Sequence, residues 1–254
     1  MGYISLAVDG GVGTITIDRP EKKNAMTYAM LGELGAAFTS AAEDPEVRAV
    51  VLTGVPGSFC AGTDLSDLDA TPEDERSRGG LGEQSFLACP KPVVAAIDGP
   101  AVGMGVEFAS MCDVRVASDR ARFGWVFVHR GLVPDTGAGT WLLPRLVGVE
   151  QAARLVFSGD IIDAAEAKRI GFLADVTASD AVLDRATAIA RRFAEGSPFA
   201  IREAKALLYQ GLGRDWTAHQ GANREVMARC FASDDHREGV ASFLERRPAR
   251  FTGN

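Results

Sequence analysis

The chain has 254 residues, the length of one large domain with at most a small appendage. Hydrophobic residues make up 46% of it and charged residues 24%, a balance typical of a folded globular protein rather than a disordered one. The formal net charge of −7 disfavours nucleic acid as the main ligand, because neutralising phosphates requires a basic face.

No apolar run approaches the ~18 residues that a membrane span needs. The N-terminus shows no basic segment followed by a cleavage site, so no signal peptide is expected. Cysteines and histidines are scattered along the chain without the spacing of metal ligands. We therefore expect a reduced, cytoplasmic protein without a metal site.

The first half of the chain alternates short strands with helices. Alternating apolar residues predict strands, and apolar residues three and four apart predict helices. In chain order we predict a hairpin from strands Tyr3–Val8 and Val12–Ile17, a helix capped by Thr27, a strand at Val47–Leu52 and a loop at Gly54–Gly62.

The middle of the chain repeats the strand and helix signals after a charged segment rich in turn formers. This segment, Thr71–Gly82, is predicted to be a mobile surface stretch. The elements predicted after it are strands at Val93–Ile97, Val114–Ala117 and Arg122–Gly124, with a helix from Gly103 through Met111.

Helices dominate from Thr136 onward, where strand signals nearly vanish. The predicted helices are an apolar-faced one from Val182 to Phe193 and two more at Ala200–Tyr209 and Asn223–Phe231. Strands and helices that alternate first, with helices last, predict an α/β fold with a helical C-terminal portion. We divide the chain into a core, residues 1–195, and a C-terminal helical region, residues 196–254.

Two glycine-containing turns, at residues 58–65 and 97–109, carry the chemical signal. Each leaves backbone N–H groups unpaired at the start of a helix, where the dipole favours negative charge. Two such turns in contact would form an oxyanion hole. Glu107 follows Met104 by three residues, so its carboxylate lies on the face of the Met104 N–H. That pair could move a proton next to a carbonyl, although Glu107 could also serve only as a partner of the helix dipole.

These segments resemble the crotonase (enoyl-CoA hydratase/isomerase) superfamily. The resemblance is carried by Phe59–Leu65 and Lys91–Gly99 with the stretch to Asp113, and it extends from Asp18 to Phe251. It implies a spiral of ββα turns, a homotrimer or hexamer built through residues 196–254, and an acyl-CoA thioester as the substrate. It also implies that the Ala61 and Met104 N–H groups hold the thioester carbonyl. No cofactor is implied, because coenzyme A is part of the substrate.

The resemblance further implies which residues contact the acyl-CoA. Lys22, Lys23 and Asn24 are expected near the coenzyme A moiety. Arg247 or Arg250 is expected to assist them, either from the same chain or from a neighbouring subunit. The full implied set is Lys22, Asn24, Ala25, Ala61, Gly62, Asp64, Leu65, Gly103, Trp125, Phe127 and Arg250.

Departures from the family pattern bear on the reaction. Hydratases of the family use two glutamates; Glu107 matches the first, but the second is expected at Phe127, which is apolar. Asp135 falls where several family isomerases and a dehalogenase place a catalytic aspartate. Its alternative role is as the N-cap of a helix at Thr140–Leu146. His129 is a further titratable candidate, although a lone histidine among apolar residues is more often packed.

Three functions follow from this pattern. The apolar residue at Phe127 favours double-bond isomerisation of an enoyl-CoA, with Glu107 and Asp135 transferring protons. Hydration of a 2-enoyl-CoA by the same two carboxylates is the alternative. A catalytically silent acyl-CoA-binding protein is the third, and the presence of Glu107 counts against it. Trp125, Phe127 and Trp141 line either the acyl pocket or the core, and the sequence does not separate the two.

Overall fold

A computed structural model of the chain describes residues 2–70, 72, 86 and 88–254, so nearly all of the predicted mobile segment Thr71–Gly82 lies outside the described residues. The strands are β1 (Ile4–Asp9), β2 (Val12–Ile17), β3 (Ala49–Gly54), β4 (Val93–Ile97), β5 (Pro100–Val102), β6 (Val114–Ser118), β7 (Arg122–Gly124), β8 (Ile161–Asp163) and β9 (Asp175–Thr177). The helices are α1 (Tyr28–Glu43), α2 (Leu65–Ala70), α3 (Met104–Met111), α4 (Ala138–Trp141), α5 (Leu143–Val147), α6 (Val149–Ser158), α7 (Ala164–Arg169), α8 (Val182–Ala194), α9 (Pro198–Gly211), α10 (Trp216–Ala232) and α11 (Asp234–Glu245).

The described strands form two sheets. The larger has the order β1-β2-β3-β4-β6-β9, in which β1 and β2 are antiparallel and the other pairs are parallel. The smaller has the order β5-β7-β8. The chain passes from β4 to β5 and then α3, and from β6 to β7 before its next helices. This strand–strand–helix repeat confirms the predicted α/β fold with a helical C-terminal portion.

The core lies on both faces of the larger sheet. Every residue of β3 and β4 is buried, as expected of parallel strands covered on both sides. On one face α8 contributes Val182, Ala186 and Ala190, and on the other α1 contributes buried apolar residues such as Leu34. Thr27 caps α1 as predicted, since its hydroxyl accepts a hydrogen bond from Met30 N.

The expectation that strands vanish after Thr136 is wrong for two short elements. β8 pairs with β7, and β9 extends the larger sheet beside β6. Each has three residues, too few for an alternating pattern to appear in the sequence. Sequence analysis also missed β5, α2, α6, α7 and α11. It placed the start of α10 seven residues too late, at Asn223 rather than Trp216.

A buried ion pair fastens the C-terminal helices to the core. Lys205 of α9 places Nζ 2.7 Å from Asp113 Oδ2, and the Tyr209 hydroxyl donates to Asp113 Oδ1 at 2.6 Å. Within the described ranges, no helix is long and apolar enough to cross a membrane. Nor does any cluster of three or more His, Cys, Asp or Glu side chains among those residues suit a metal ion.

Candidate active site

The two glycine-containing turns meet, as the sequence predicts. Cys60 N donates to Pro100 O and Val102 N donates to Cys60 O, each at 3.0 Å. Gly105 makes the close approach possible, because a Cβ atom there would lie 2.1 Å from Cys60 O. The loop that precedes α2 is thereby fixed against the N-terminus of α3.

One of the two predicted oxyanion donors is wrong in this structure. The Ala61 N–H donates to Lys23 O at 3.0 Å and is not available to a ligand. The loop pairs with residue 26 instead: Met26 N donates to Gly62 O, and Asp64 N donates to Met26 O, both at 2.8 Å. Because successive backbone groups of an extended segment point to opposite sides, the Thr63 N–H is directed away from Met26.

The Thr63 and Met104 amides lie side by side. Neither N–H has an acceptor among the described residues. Gly62 directly precedes Thr63, and a Cβ atom built on Gly62 would lie 3.8 Å from Met104 N. Met104 is also the first residue of α3, where the helix dipole favours negative charge. Thr63 therefore replaces Ala61 as the candidate donor opposite Met104.

Glu107 is fully buried one turn into α3. Its Oε2 atom accepts hydrogen bonds from Thr136 Oγ1 at 2.7 Å and from Gly139 N at 2.9 Å. Its Oε1 atom is buried and has no hydrogen-bond partner in the described part of the chain. Burial raises the pKa of Glu107 to about 7, helped by the nearby Asp135 charge and opposed by the two hydrogen bonds and by the Trp125 indole. Near neutral pH this carboxyl can therefore both accept and donate a proton.

Asp135 lies on the turn between Pro134 and α4. Its side chain is exposed, and the protein beside it partly desolvates the carboxyl, which raises its pKa. The alternative role as an N-cap is wrong: α4 begins at Ala138 with Gly137 as its cap residue, and Thr136 Oγ1 accepts the Ala138 N–H at 3.2 Å. Asp135 is thus left without a capping role, close enough to Glu107 for its charge to act there.

The aromatic residues near the site divide between core and surface. Trp125 is fully buried and packs edge-on against Phe172, with 5.2 Å between the ring centroids. Its indole lies beside the Glu107 carboxyl and helps to lower the pKa of that group. Phe127 is buried, whereas Trp141 is 39% exposed. His129 is exposed at the end of the short helix Val126–Arg130, so the interpretation of a packed histidine is wrong.

Two of the implied substrate-binding residues shape the loop instead. Asn24 is fully buried; its Nδ2 donates to Ser58 O at 2.6 Å and its Oδ1 accepts from Arg19 N at 2.8 Å. Asp64 forms an ion pair with Arg19 at 2.9 Å and accepts the Ser66 N–H at 3.0 Å. With their polar atoms occupied, neither side chain is free to contact a ligand. This corrects both assignments.

The remaining implied contacts are separated along the molecule. Leu65 and Lys22 are exposed near the site loop, and Ala25 is half-buried. Gly62 and Gly103 have positive φ and form the two turns of the site. Arg250 precedes Phe251, whose carbonyl accepts from Arg48 at the start of β3. Lys22 follows the end of β2, which runs parallel to β3. The length of a strand, about 20 Å, therefore separates Lys22 from the region of Arg250 within one chain.

Sequence analysis missed Thr63 and Thr136. Thr63 could be found only from the pairing of its loop with residue 26, which determines the direction of each N–H. Thr136 carries no sequence signal, because its role depends on where α4 begins.

Comparisons with known proteins identify the relatives of this chain. A family model described as "Enoyl-CoA hydratase/isomerase" matches residues 7–254. A crotonyl-CoA hydratase from Syntrophomonas wolfei is 36% identical over 253 residues, covering 98% of this chain and 97% of that protein. A 2,3-dehydroadipyl-CoA hydratase from Escherichia coli is 36% identical over 244 residues, covering 94% of each. The crystal structure of an enoyl-CoA hydratase from Bacillus anthracis superposes with a TM-score of 0.94 at 31% identity, covering 99% of this chain and 100% of that one.

Proposed function

The chain belongs to the enoyl-CoA hydratase/isomerase family, and we propose that it shifts the carbon–carbon double bond of an enoyl-CoA thioester. The observation that carries the proposal is the free Oε1 atom of the buried Glu107, one helical turn from the free Met104 amide. A buried acid without a partner on one oxygen is costly to the fold, which argues against a silent acyl-CoA binder.

The thioester carbonyl binds between the Met104 and Thr63 N–H groups. As a proton leaves the α carbon, negative charge develops on the carbonyl oxygen, and both amides together with the dipole of α3 stabilise it. Each such donor contributes about 3 kcal/mol in comparable sites. Both donors are backbone groups, and the contact between Gly105 and Cys60 holds their two turns together.

Proton transfer is divided between two carboxyls. Oε1 of Glu107 takes the proton from the α carbon, and the electron pair of the broken C–H bond passes into the thioester as an enolate. Asp135, whose pKa is raised by desolvation, delivers a proton to the γ carbon and regains one from solvent after the product leaves. Phe127 places an apolar ring where hydratases of the family carry their second glutamate, so this pair is the acid–base set of the proposed isomerase.

Hydration of a 2-enoyl-CoA is the second candidate, favoured by the names of the relatives. The two curated relatives compared above are named as hydratases. In that reaction Glu107 and Asp135 together position a water molecule, and the same two amides stabilise the enolate. The acyl-CoA substrate is common to both candidates.

Coenzyme A binding and assembly complete the proposal. We assign the phosphates of the coenzyme to Lys22 and Lys23, because both side chains are exposed beside the site loop and positively charged. Because Arg250 lies far from these lysines within one chain, we assign it to the coenzyme bound by a neighbouring copy in a homotrimer or hexamer. The C-terminal region exposes large apolar side chains suited to such an interface, among them Trp216 and Phe243 at 71% and 83% exposure. No cofactor is needed beyond the coenzyme A of the substrate.

Turnover of paired substrates tests the proposal. The purified protein is mixed with a 3-enoyl-CoA and, separately, with a 2-enoyl-CoA, and products are followed by thioester absorbance and mass spectrometry. We expect the 3-enoyl-CoA to become its 2-enoyl isomer without a change in mass, and Glu107→Gln to abolish this. A product heavier by one water favours hydration, and tight binding without turnover of either substrate overturns both reactions.

A further inference from the structure

We propose that Thr136 is a positioning residue for Glu107. Its hydroxyl donates a hydrogen bond to Oε2, so that Oε1 is the oxygen that carries and transfers the proton. The inference rests on the proposed function, since it concerns the same carboxyl. It assigns a role to a residue that touches neither the acyl-CoA nor the reacting carbon, and it explains why one oxygen of Glu107 is free and the other is not.

The direction of the Thr136 hydroxyl is fixed by its second partner. A threonine hydroxyl has a single proton to donate. Because Oγ1 accepts the Ala138 N–H at 3.2 Å, its own proton is directed to Glu107 Oε2 at 2.7 Å. The start of α4 therefore orients the donor that reaches the carboxylate.

A second donor on the same oxygen completes the arrangement. Gly139 N, which can only donate, lies 2.9 Å from Oε2. With two hydrogens already directed at Oε2, a proton that Glu107 gains is placed on Oε1. Gly139 also packs directly over the carboxyl, since a Cβ atom there would lie 2.6 Å from Oε1. Both contacts hold the plane of the carboxyl, and Oε1 remains the oxygen without a hydrogen-bond partner among the described residues.

The other charged and titratable groups around Glu107 do not take over this role. Asp135 is the carboxylate whose charge acts on Glu107, and it raises rather than lowers the pKa. Cys60, buried against the same helix, stays neutral because burial raises its pKa to about 12. Arg115 donates to Ala109 O and Cys112 O at the opposite end of α3. Among described side chains, the Thr136 hydroxyl is the hydrogen-bond donor to Oε2.

The role has a measurable consequence for acidity. A hydrogen bond to the charged form of an acid favours that form, so Thr136 lowers the pKa of Glu107 against the effect of burial. Thr136→Val keeps the shape of the side chain and removes the donor. We expect the midpoint of the Glu107 titration to rise by about 1 pH unit, the size typical of a hydrogen bond to a charged group. Thr136→Ser restores the hydroxyl and is expected to restore the midpoint to within about 0.3 pH units.

The experiment is a titration of glutamate side-chain carbons by carbon-13 NMR, with the Glu107 signal assigned by its loss in Glu107→Gln. Wild type, Thr136→Val, Thr136→Ala and Thr136→Ser are compared, with Thr140→Val as the matched control, because that hydroxyl donates to Gly137 O rather than to Glu107. The pH profile of kcat is measured on the same samples. We expect kcat near neutral pH to fall about fivefold in Thr136→Val, with KM changed less than about twofold.

The two readouts separate this inference from the proposed function. Because the titration requires no turnover, a shifted midpoint in a protein that converts no enoyl-CoA supports the positioning role and overturns the proposed function. An unchanged midpoint in both Thr136→Val and Thr136→Ala overturns the positioning role even if turnover is normal. A Thr136→Ser variant as perturbed as Thr136→Val does so as well, since the hydroxyl is then not the cause.

Discussion

The buried Glu107 carboxyl makes the fold less stable as pH rises. Its pKa is raised from 4.5 to about 7 in the folded chain, so between these values the folded state binds more protons than the unfolded one. The free energy of unfolding therefore falls as pH increases through this window and levels off above it. At about 1.4 kcal/mol per pKa unit, the total loss is about 3 kcal/mol. Glu107→Gln keeps the acceptor for Thr136 and Gly139 and removes the charge.

Urea unfolding at fixed protein concentration measures this effect. Above about pH 8 we expect Glu107→Gln to be more stable than wild type by about 3 kcal/mol, and the difference to vanish near about pH 4. Glu46→Gln, an exposed change of the same chemistry, is the control and should show no such trend. A Glu107→Gln variant no more stable than wild type at high pH, or a gap independent of pH, would refute the reasoning.

Four further predictions concern the site and its support. Met104→Pro removes the amide hydrogen at a helix position that tolerates proline, whereas Met104→Ala keeps it. The kcat of Met104→Pro should therefore be lower than that of Met104→Ala by a factor of about 10²–10³, and equal values would remove this donor from the mechanism. Asp135→Asn should lower kcat on a 3-enoyl-CoA by about 10²–10⁴ while acyl-CoA binding persists, and full turnover would reassign the γ-carbon acid. Replacing Lys22 and Lys23 by glutamine should raise KM for coenzyme A esters and flatten its salt dependence; an unchanged KM contradicts their role. Lys205→Met leaves the half-buried Asp113 carboxylate without its cation, although Tyr209 still donates to it, and should cost about 2 kcal/mol in urea unfolding. A loss below about 1 kcal/mol would argue against the ion pair as the anchor of α9.

Local sequence patterns predict most strands of the larger sheet and several of the longer helices, because those elements carry a clear period, whereas α6 and α11 were missed. The bounds of β2, β4 and β7 agree with the prediction residue for residue. The strands β8 and β9 could not be found this way. Each is three residues long, and its strand conformation depends on a neighbour already in the sheet rather than on its own side chains.

The site could be predicted where spacing along one element determines geometry. The relation between Met104 and Glu107 follows from helical periodicity alone, and the structure retains it. The donor opposite Met104 was misplaced at Ala61, because its direction depends on pairing with residue 26, across a loop. The family resemblance implies Asn24 as a ligand-binding residue, but here its side chain bonds to backbone groups of two neighbouring segments.

Hydrogen exchange at the α carbon is the most direct measure of the central role given to Glu107. A 3-enoyl-CoA is incubated in heavy water with wild type or with Glu107→Gln, and deuterium at the α carbon is followed by proton NMR. We predict rapid incorporation with wild type and a rate lower by about 10²–10⁴ with Glu107→Gln, although both bind the thioester. Exchange at the wild-type rate in Glu107→Gln would contradict the assignment of Glu107 as the group that takes the α proton.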